Sequence, residues 1–305
     1  MSTVTATSSR ALPALALCLN ALVWGTAWWP LRHVEALGLH PLWATAFVFA
    51  AVVLVIVLLR PRAVAQLLRA PALWVLMLAA GTSNAAFNWA MVIGDVVRVI
   101  LLFYLMPVWA VLLARVLLHE PITRGAGLRV LLGVAGAAVV LWPSGAGIEA
   151  LPLPRSLADW LGLLGGLSFA LNNVMLRREA RRPEEGRALA MFVGGALVSG
   201  VLALVLRGVV PWPPPPALVW LLPVLVMAAL FGIGNLALQF GAGRLPANVT
   251  AVVMLTEVVF ASVSALALGR AELTAQALLG AALILLAALI LLAALLAALE
   301  PHGAH

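Results

Sequence analysis

The sequence predicts an all-α integral membrane protein with ten transmembrane helices, arranged as two inverted repeats of five, and with both termini cytoplasmic. Three observations carry that expectation: an apolar composition, a polar decapeptide that occurs twice, and the placement of arginine. Of the 305 residues, 65% are hydrophobic and 10% charged, with a mean hydropathy of +1.14, against roughly 45–50% apolar in a soluble domain. Gly81 to Ala90 reads GTSNAAFNWA, and 151 positions later Gly232 to Gly241 reads GIGNLALQFG. Gly81 thus meets Gly232, Asn84 meets Asn235, Asn88 meets Gln239 and Trp89 meets Phe240. Each copy sets two amides at i and i+4 on one face of a helix, beside an aromatic ring. An uncompensated amide in hydrocarbon costs several kcal/mol, so the pairs imply a shared polar centre rather than lipid contact.

A span needs about 20 apolar residues. The runs that qualify are Ala11–Leu31, Pro41–Leu59, Pro71–Ile93, Val97–Leu118, Gly125–Trp142, Leu157–Met175, Ala188–Leu206, Ala217–Phe240, Ala247–Leu268 and Thr274–Leu299. None alternates polar and apolar as the strands of a membrane barrel do, so the spans are helices. Residues 1–10 form a polar cytoplasmic leader, and the first run, continuing through Trp29 to Arg32, is too long for the core of a cleaved signal peptide. Repeat 1 then covers residues 11–143, a periplasmic link 144–156, repeat 2 residues 157–299 and a cytoplasmic tail 300–305. Among the connections, Arg177–Arg187 (RREARRPEEGR) is too polar to enter the bilayer, and Pro211–Pro216 (PWPPPP) should form a stiff polyproline II cap.

The net charge of +7 comes from 18 arginines and no lysine. With the N-terminus inside, Arg10, Arg60, Arg62, Arg69, Arg115, Arg124, Arg129, Arg177, Arg178, Arg181, Arg182, Arg187 and Arg244 are cytoplasmic. Only Arg32, Arg98, Arg155, Arg207 and Arg270 fall outside. Thirteen against five sets the orientation. Because these arginines lie between apolar segments and form no basic face interleaved with aromatics, nucleic acid is excluded as a partner. Cys18, the one cysteine, excludes a disulfide framework within the chain and a multi-cysteine metal site.

The repeat continues past the decapeptide. LMPVWA (Leu105 to Ala110) in the fourth predicted helix overlays TEVVFA (Thr256 to Ala261) in the ninth, and both copies end in a carboxylate, Glu120 and Glu272. At another offset WGTAWW (Trp24 to Trp29) overlays FALNNV (Phe169 to Val174), and Arg32 faces Arg177. Five helices per repeat is an odd number, so the second copy crosses the membrane in the opposite sense. That is the inverted-repeat arrangement of secondary transporters, whose sites lie near the bilayer midplane.

Glu257 is the only acidic residue near the centre of a predicted span. A charge there costs at least about 2.5–3.5 kcal/mol, so the group must face a cavity, find a partner or remain protonated. It is either a proton-coupling or substrate-amine site, or a carboxyl that ties neighbouring helices together. Likewise Asn84, Asn88, Asn235 and Gln239 either line a cavity or act as interhelical glue worth about 0.6 kcal/mol each. Asn20, Asn172 and Asn173 add amides on the first and sixth predicted helices. Trp24, Trp28, Phe87, Trp89, Tyr104, Trp109, Phe169 and Phe240 are candidates for a ring-lined pocket. The substrate-binding set drawn from these is Trp24, Trp28, Asn84, Asn88, Trp89, Tyr104, Phe169, Asn172, Asn173, Asn235 and Gln239, with Glu257 as the coupling candidate. An enzyme is not expected. His33, His40 and His119 sit in loops or at span ends, no phosphate-binding glycine loop precedes a Lys, and no nucleophile has a base beside it. No cofactor or metal is expected either.

The Trp24-Gly25 pair, Pro107-Val108 followed by Glu120-Pro121, and the Glu257 and Glu272 echo resemble the drug/metabolite transporter superfamily, specifically its ten-helix EamA-type exporters. Within that group the chain most resembles the YddG-type exporters of aromatic and other amino acids. The resemblance implies a multi-pass protein of the bacterial inner membrane that exports amino acids by alternating access, with lipid and a small-molecule substrate as its partners. Where the family pattern has Glu-Pro-Val, this sequence reads Glu257-Val258-Val259, so the proline break expected in that half is absent. Two alternatives stand beside this reading: an exporter of lipophilic drugs or cations, and a membrane scaffold subunit whose amides only bind helices together.

Overall fold

The computed structural model describes residues 3–119, 124–142, 153–216 and 218–245, and beyond these 250, 253–254, 256–268, 274–276, 278–283 and 285–286. Every regular element among the described residues is a helix: α1 (Thr3–Thr26), α2 (Trp28–Ala36), α3 (Pro41–Leu59), α4 (Arg62–Leu68), α5 (Pro71–Ile93), α6 (Val96–Phe103), α7 (Met106–Leu117), α8 (Arg124–Leu141), α9 (Leu157–Arg178), α10 (Glu184–Val205), α11 (Leu218–Arg244) and α12 (Thr256–Ala267). Six stretches among the described residues are long and apolar enough to cross a membrane: Leu12–Ala36, Pro41–Leu59, Pro71–Ile93, Val96–Leu117, Glu184–Val205 and Leu218–Arg244. The helices α8 and α9 fall on the fifth and sixth predicted runs, and α12 lies within the ninth. Leu54, Leu58, Val205 and Leu218 point outward and exposed, as side chains facing lipid do.

Several elements differ from the sequence expectation. Helix α1 begins at Thr3, inside the expected polar leader, and a turn at Ala27 separates it from α2. A Schellman motif then closes α2. Leu39 N–H donates to Val34 C=O and Gly38 N–H to Glu35 C=O, with Gly38 at φ 90° where a side chain would be strained. The fourth predicted run is two helices, α6 and α7, parted at Tyr104 and Leu105. Pro107 accounts for the break, since it lacks an N–H and its ring would clash with the Phe103 carbonyl in a continuous helix. The charged connection shrinks to five residues, Glu179–Pro183, as α9 extends to Arg178 and α10 starts at Glu184. Basic residues end the one helix and acidic residues begin the other, each matching the helix dipole. The PWPPPP segment carries no helix and is held by tryptophan: Trp43 Nε1 donates to Pro211 C=O (3.1 Å) and Trp220 Nε1 to Pro215 C=O (3.0 Å).

Helix α5 is packed along α9 on one side and α10 on the other, while α1 packs on α11 and α12. The repeat makes α11 the counterpart of α5, yet the two are packed differently. Gly81 of α5 and Gly194 of α10 lie in backbone contact, with no room for a Cβ at either. Gly232, the counterpart of Gly81, faces the Val52 side chain of α3, and a Cβ there would meet it at an ordinary 3.4 Å. The α3 side is therefore looser, and a cleft of about 610 Å³ opens between α3, α10 and α11.

This packing makes Gly194→Val an overpacking change. We expect it to destabilise the purified protein by about 1–3 kcal/mol or more, read as a lower unfolding temperature. Gly208, which has open space around it, should accept Ala without such a change. Equal unfolding temperatures for Gly194→Val and Gly208→Ala would contradict the contact.

Candidate functional site

Seven helices send side chains to one central cavity: Trp24 from α1; Ala80, Ser83, Asn84 and Phe87 from α5; Phe103 from α6; Phe169 and Asn172 from α9; Met191 from α10; Asn235 from α11; and Glu257 from α12. Its wall is a chain of rings. Trp24 stacks on Phe231 at 4.5 Å between ring centroids and meets Phe87 edge-on at 6.0 Å. Phe87 contacts Phe103 at 4.7 Å, and Phe103 contacts Phe169 at 5.3 Å. Gly25 lets α1 approach this closely, because a Cβ on it would lie 2.8 Å from the Glu257 carbonyl. The cavity measures about 20 Å³, room for roughly one water.

The polar groups of the cavity are unevenly satisfied. Asn84 Nδ2 donates to Ala80 C=O (2.7 Å) and Asn235 Nδ2 to Phe231 C=O (2.9 Å). Ala80 and Phe231 are themselves repeat counterparts, so both halves make the same bond, one turn back within the amide's own helix. Among the described residues neither amide bonds across to another helix. Asn172 donates to Asn173 Oδ1 at 3.3 Å, while its own Oδ1 is buried with no partner. Glu257, 2% exposed, is reached by Tyr104, whose hydroxyl lies 2.7 Å from Glu257 Oε2 and also bonds Met254 C=O. One hydroxyl proton cannot serve both acceptors. A neutral Glu257 that donates to Tyr104 Oη, while Tyr104 donates to Met254 C=O, satisfies all three groups. The break between α6 and α7 is what frees Tyr104 to reach α12.

The two ends of the molecule differ. At one, Arg98 grips Asp159 through Nε to Oδ1 (2.8 Å) and Nη2 to Oδ2 (3.0 Å), tying α6 to α9. Asp159 also completes a capping box with Ser156, and Arg32 donates to the carbonyls of Met91 and Gly94. At the other, arginine-rich end, Arg244 pairs with Glu184 (2.9 Å), Gln66 donates to Glu185 (2.9 Å), and the cleft beside α3 opens between Arg60, Glu184 and Gln239.

The profile of the EamA-like transporter family matches residues 11–142 and again residues 156–293. The chain belongs to the EamA-like transporter family. It is thus a multi-pass membrane transporter of the drug/metabolite type, built from two copies of one unit. No curated protein matches the chain. Among solved structures 17 chains match. One, described only as the crystal structure of a protein, superposes with a TM-score of 0.66 at 21% identity, over 96% of this chain and 100% of its own. At that identity the likeness is one of fold.

In this EamA-like protein the candidate residues of the sequence divide. Trp24, Asn84, Phe87, Phe169, Asn172, Asn235 and Glu257 line the cavity, and Tyr104 touches it through Glu257. The others lie elsewhere. Asn88 donates to Thr45 Oγ1 (2.9 Å), Asn173 to Met106 Sδ (3.5 Å), Gln239 to Glu184 C=O (3.0 Å) and Asn20 to Gly234 C=O (2.7 Å), each joining two helices. Trp28 Nε1 donates to Ser264 Oγ (3.0 Å), Trp89 meets His40 edge-on, and Phe240 lies under Arg244. The paired amides share a helix face, but one turn of displacement gives the second of each pair a different neighbour. Glu120 and Glu272, and the side chain of Arg124, lie outside the described residues. Sequence reasoning did not single out Ser83, Phe103 or Met191. Ser83 stands inside the polar decapeptide and Phe103 just before the proline break, whereas Met191 carries no signal. Among the described residues no group of three or more His, Cys, Asp or Glu can hold a metal.

Removing the Tyr104 hydroxyl leaves Met254 C=O and Glu257 unsatisfied in the core. Tyr104→Phe is expected to cost about 1–3 kcal/mol of stability. The loss should be non-additive with Glu257→Leu in a double-mutant cycle. Additive unfolding free energies would mean that the two groups act separately.

Proposed function

We propose that this transporter exports amino acids, aromatic and other neutral ones, across the bacterial inner membrane, as the YddG-type exporters do. Ten helices in two inverted repeats, with both termini cytoplasmic, move around the central cavity by alternating access. The observation that carries the reading is that the unpaired, buried Asn172 Oδ1 and Glu257 line one cavity walled by rings. Two acceptors suit the ammonium of a zwitterion, and Trp24, Phe87, Phe103 and Phe169 suit its side chain. Asn84 and Asn235, one from each repeat and neither tying helices together, are the remaining contacts to cargo. With room for roughly one water, the cavity must widen before cargo can enter. A second reading, export of lipophilic cations, is favoured by Glu257 as the single acid among the described residues of the cavity lining.

Flux into liposomes containing the purified protein distinguishes the two. L-phenylalanine and neutral aliphatic amino acids should exchange. Asn172→Leu should raise their half-saturating concentrations by about one hydrogen bond, roughly 0.5–1.5 kcal/mol, while Trp24→Ala changes their ranking. If Glu257 couples protons, Glu257→Gln abolishes the response of flux to an imposed pH gradient. Transport of lipophilic cations with no amino-acid exchange would replace the first reading with the second.

Orientation is tested by single cysteines in a Cys18→Ser background. Pro214→Cys should label from outside intact spheroplasts and Arg181→Cys only after permeabilisation. The opposite pattern would invert the topology.

A further inference from the structure

Arg187 stands in the first turn of α10 and is only 2% exposed, yet its Nε and Nη1 have no hydrogen-bond partner. The carboxylates beside it are engaged elsewhere, Glu184 by Arg244 at 2.9 Å and Glu185 by Gln66 at 2.9 Å. Its guanidinium lies against Gly243 of α11, where a Cβ would come within 3.2 Å of Nη1. Glycine there makes the room that the cation occupies. The positive end of the α10 dipole adds to the cation's field instead of offsetting it. A buried cation without a hydrogen-bonded partner is among the most unfavourable arrangements in a folded chain, and here the carboxylates of its own first turn bond other residues. The cleft between α3, α10 and α11 is lined by Glu184, three residues before Arg187, by Ala188, the next residue, and by Gln239, one turn before Gly243 on the facing helix, while Arg187 itself is not on that lining. Gln239 donates to Glu184 C=O and leaves its Oε1 buried without a partner as well.

We propose that Arg187 is the centre of an oxyanion-binding site at the arginine-rich end of the cleft, separate from the central cavity. Its planar fork donates two N–H bonds to the two oxygens of a carboxylate or phosphate. The anion completes the pairing that Glu184 and Glu185 do not supply, and the Gln239 amide oxygen accepts a donor from the same ligand. The oxyanion is that of a soluble metabolite or of a phospholipid headgroup, and the inference does not depend on which cargo occupies the centre.

The test uses the full-length protein purified in detergent. Unfolding temperature is followed against sodium acetate and sodium phosphate, with sodium chloride at matched ionic strength as the reference. Retained lipid is measured by native mass spectrometry after exposure to phosphatidylglycerol or to phosphate-free diacylglycerol. Arg187→Met removes the unpaired charge, so it should unfold at the same or a higher temperature in chloride while its half-point for the anion rises at least tenfold. The exposed Arg181→Met serves as control and keeps the wild-type response. A saturable response to acetate or phosphate lost in Arg187→Met assigns a soluble anion. Selective retention of phosphatidylglycerol, lost in the same variant, assigns the lipid. Should Arg187→Met not fold, Arg187→Lys keeps the charge without the fork and must weaken whichever response is seen. No difference between these variants and the wild type in either measurement overturns the site.

Discussion

A carboxyl group in hydrocarbon cannot stand alone, and the centre of this protein is organised around Glu257. Its partner comes from a helix that had to be interrupted. Pro107 ends the α6 path one turn early and leaves Tyr104 at the break, where its hydroxyl reaches both Glu257 and the Met254 carbonyl. Gly25 completes the arrangement from the other side, bringing α1 onto the Glu257 backbone and placing Trp24 over the cavity. A proline, a glycine and a tyrosine thus turn an otherwise prohibitive acid into part of a satisfied network.

Around that centre the two halves use one motif in two packings. Asn84 and Asn235 make the same bond to their own helices, and Gly81 and Gly232 stand at the same place in the repeat. What they face differs: Gly194 brings α10 into backbone contact with α5, whereas Val52 keeps α3 off α11. At one end Arg98 and Asp159 tie α6 to α9, and at the other a cleft opens between Arg60, Glu184 and Gln239. Two units matched by one family profile are thus held in unequal packings.

The amides show how polar groups are apportioned in such a protein. Asn20, Asn88, Asn173 and Gln239 each spend a donor on a neighbouring helix, which fixes the bundle where apolar packing gives no hydrophobic driving force. Asn84, Asn172 and Asn235 do not bridge helices and are left at the cavity. Identical side chains four residues apart therefore hold the scaffold in one case and shape the site in the other.

The sequence by itself determined the class of this protein. Apolar runs of span length, the decapeptide recurring from Gly81 and Gly232, and the family pattern around Trp24-Gly25 and Glu257 are local features, and each survives being read one residue at a time. Pro107 carries a local signal for the helix break through its own ring and missing N–H, although the apolar run across it reads as one span. Only the tertiary structure decided which candidates share a cavity. Helical periodicity places Asn84 and Asn88 on one face but says nothing of what stands opposite each turn, and that is what sends Asn88 to Thr45 and leaves Asn84 at the cavity. Met191 reached the site with no signal at all, because an apolar side chain in an apolar helix becomes a wall residue only when a neighbouring helix fails to cover it. Arg187 is the converse case. Its place in a charged connection reads as solvated, and its burial without a partner exists only once α11 has packed Gly243 against it.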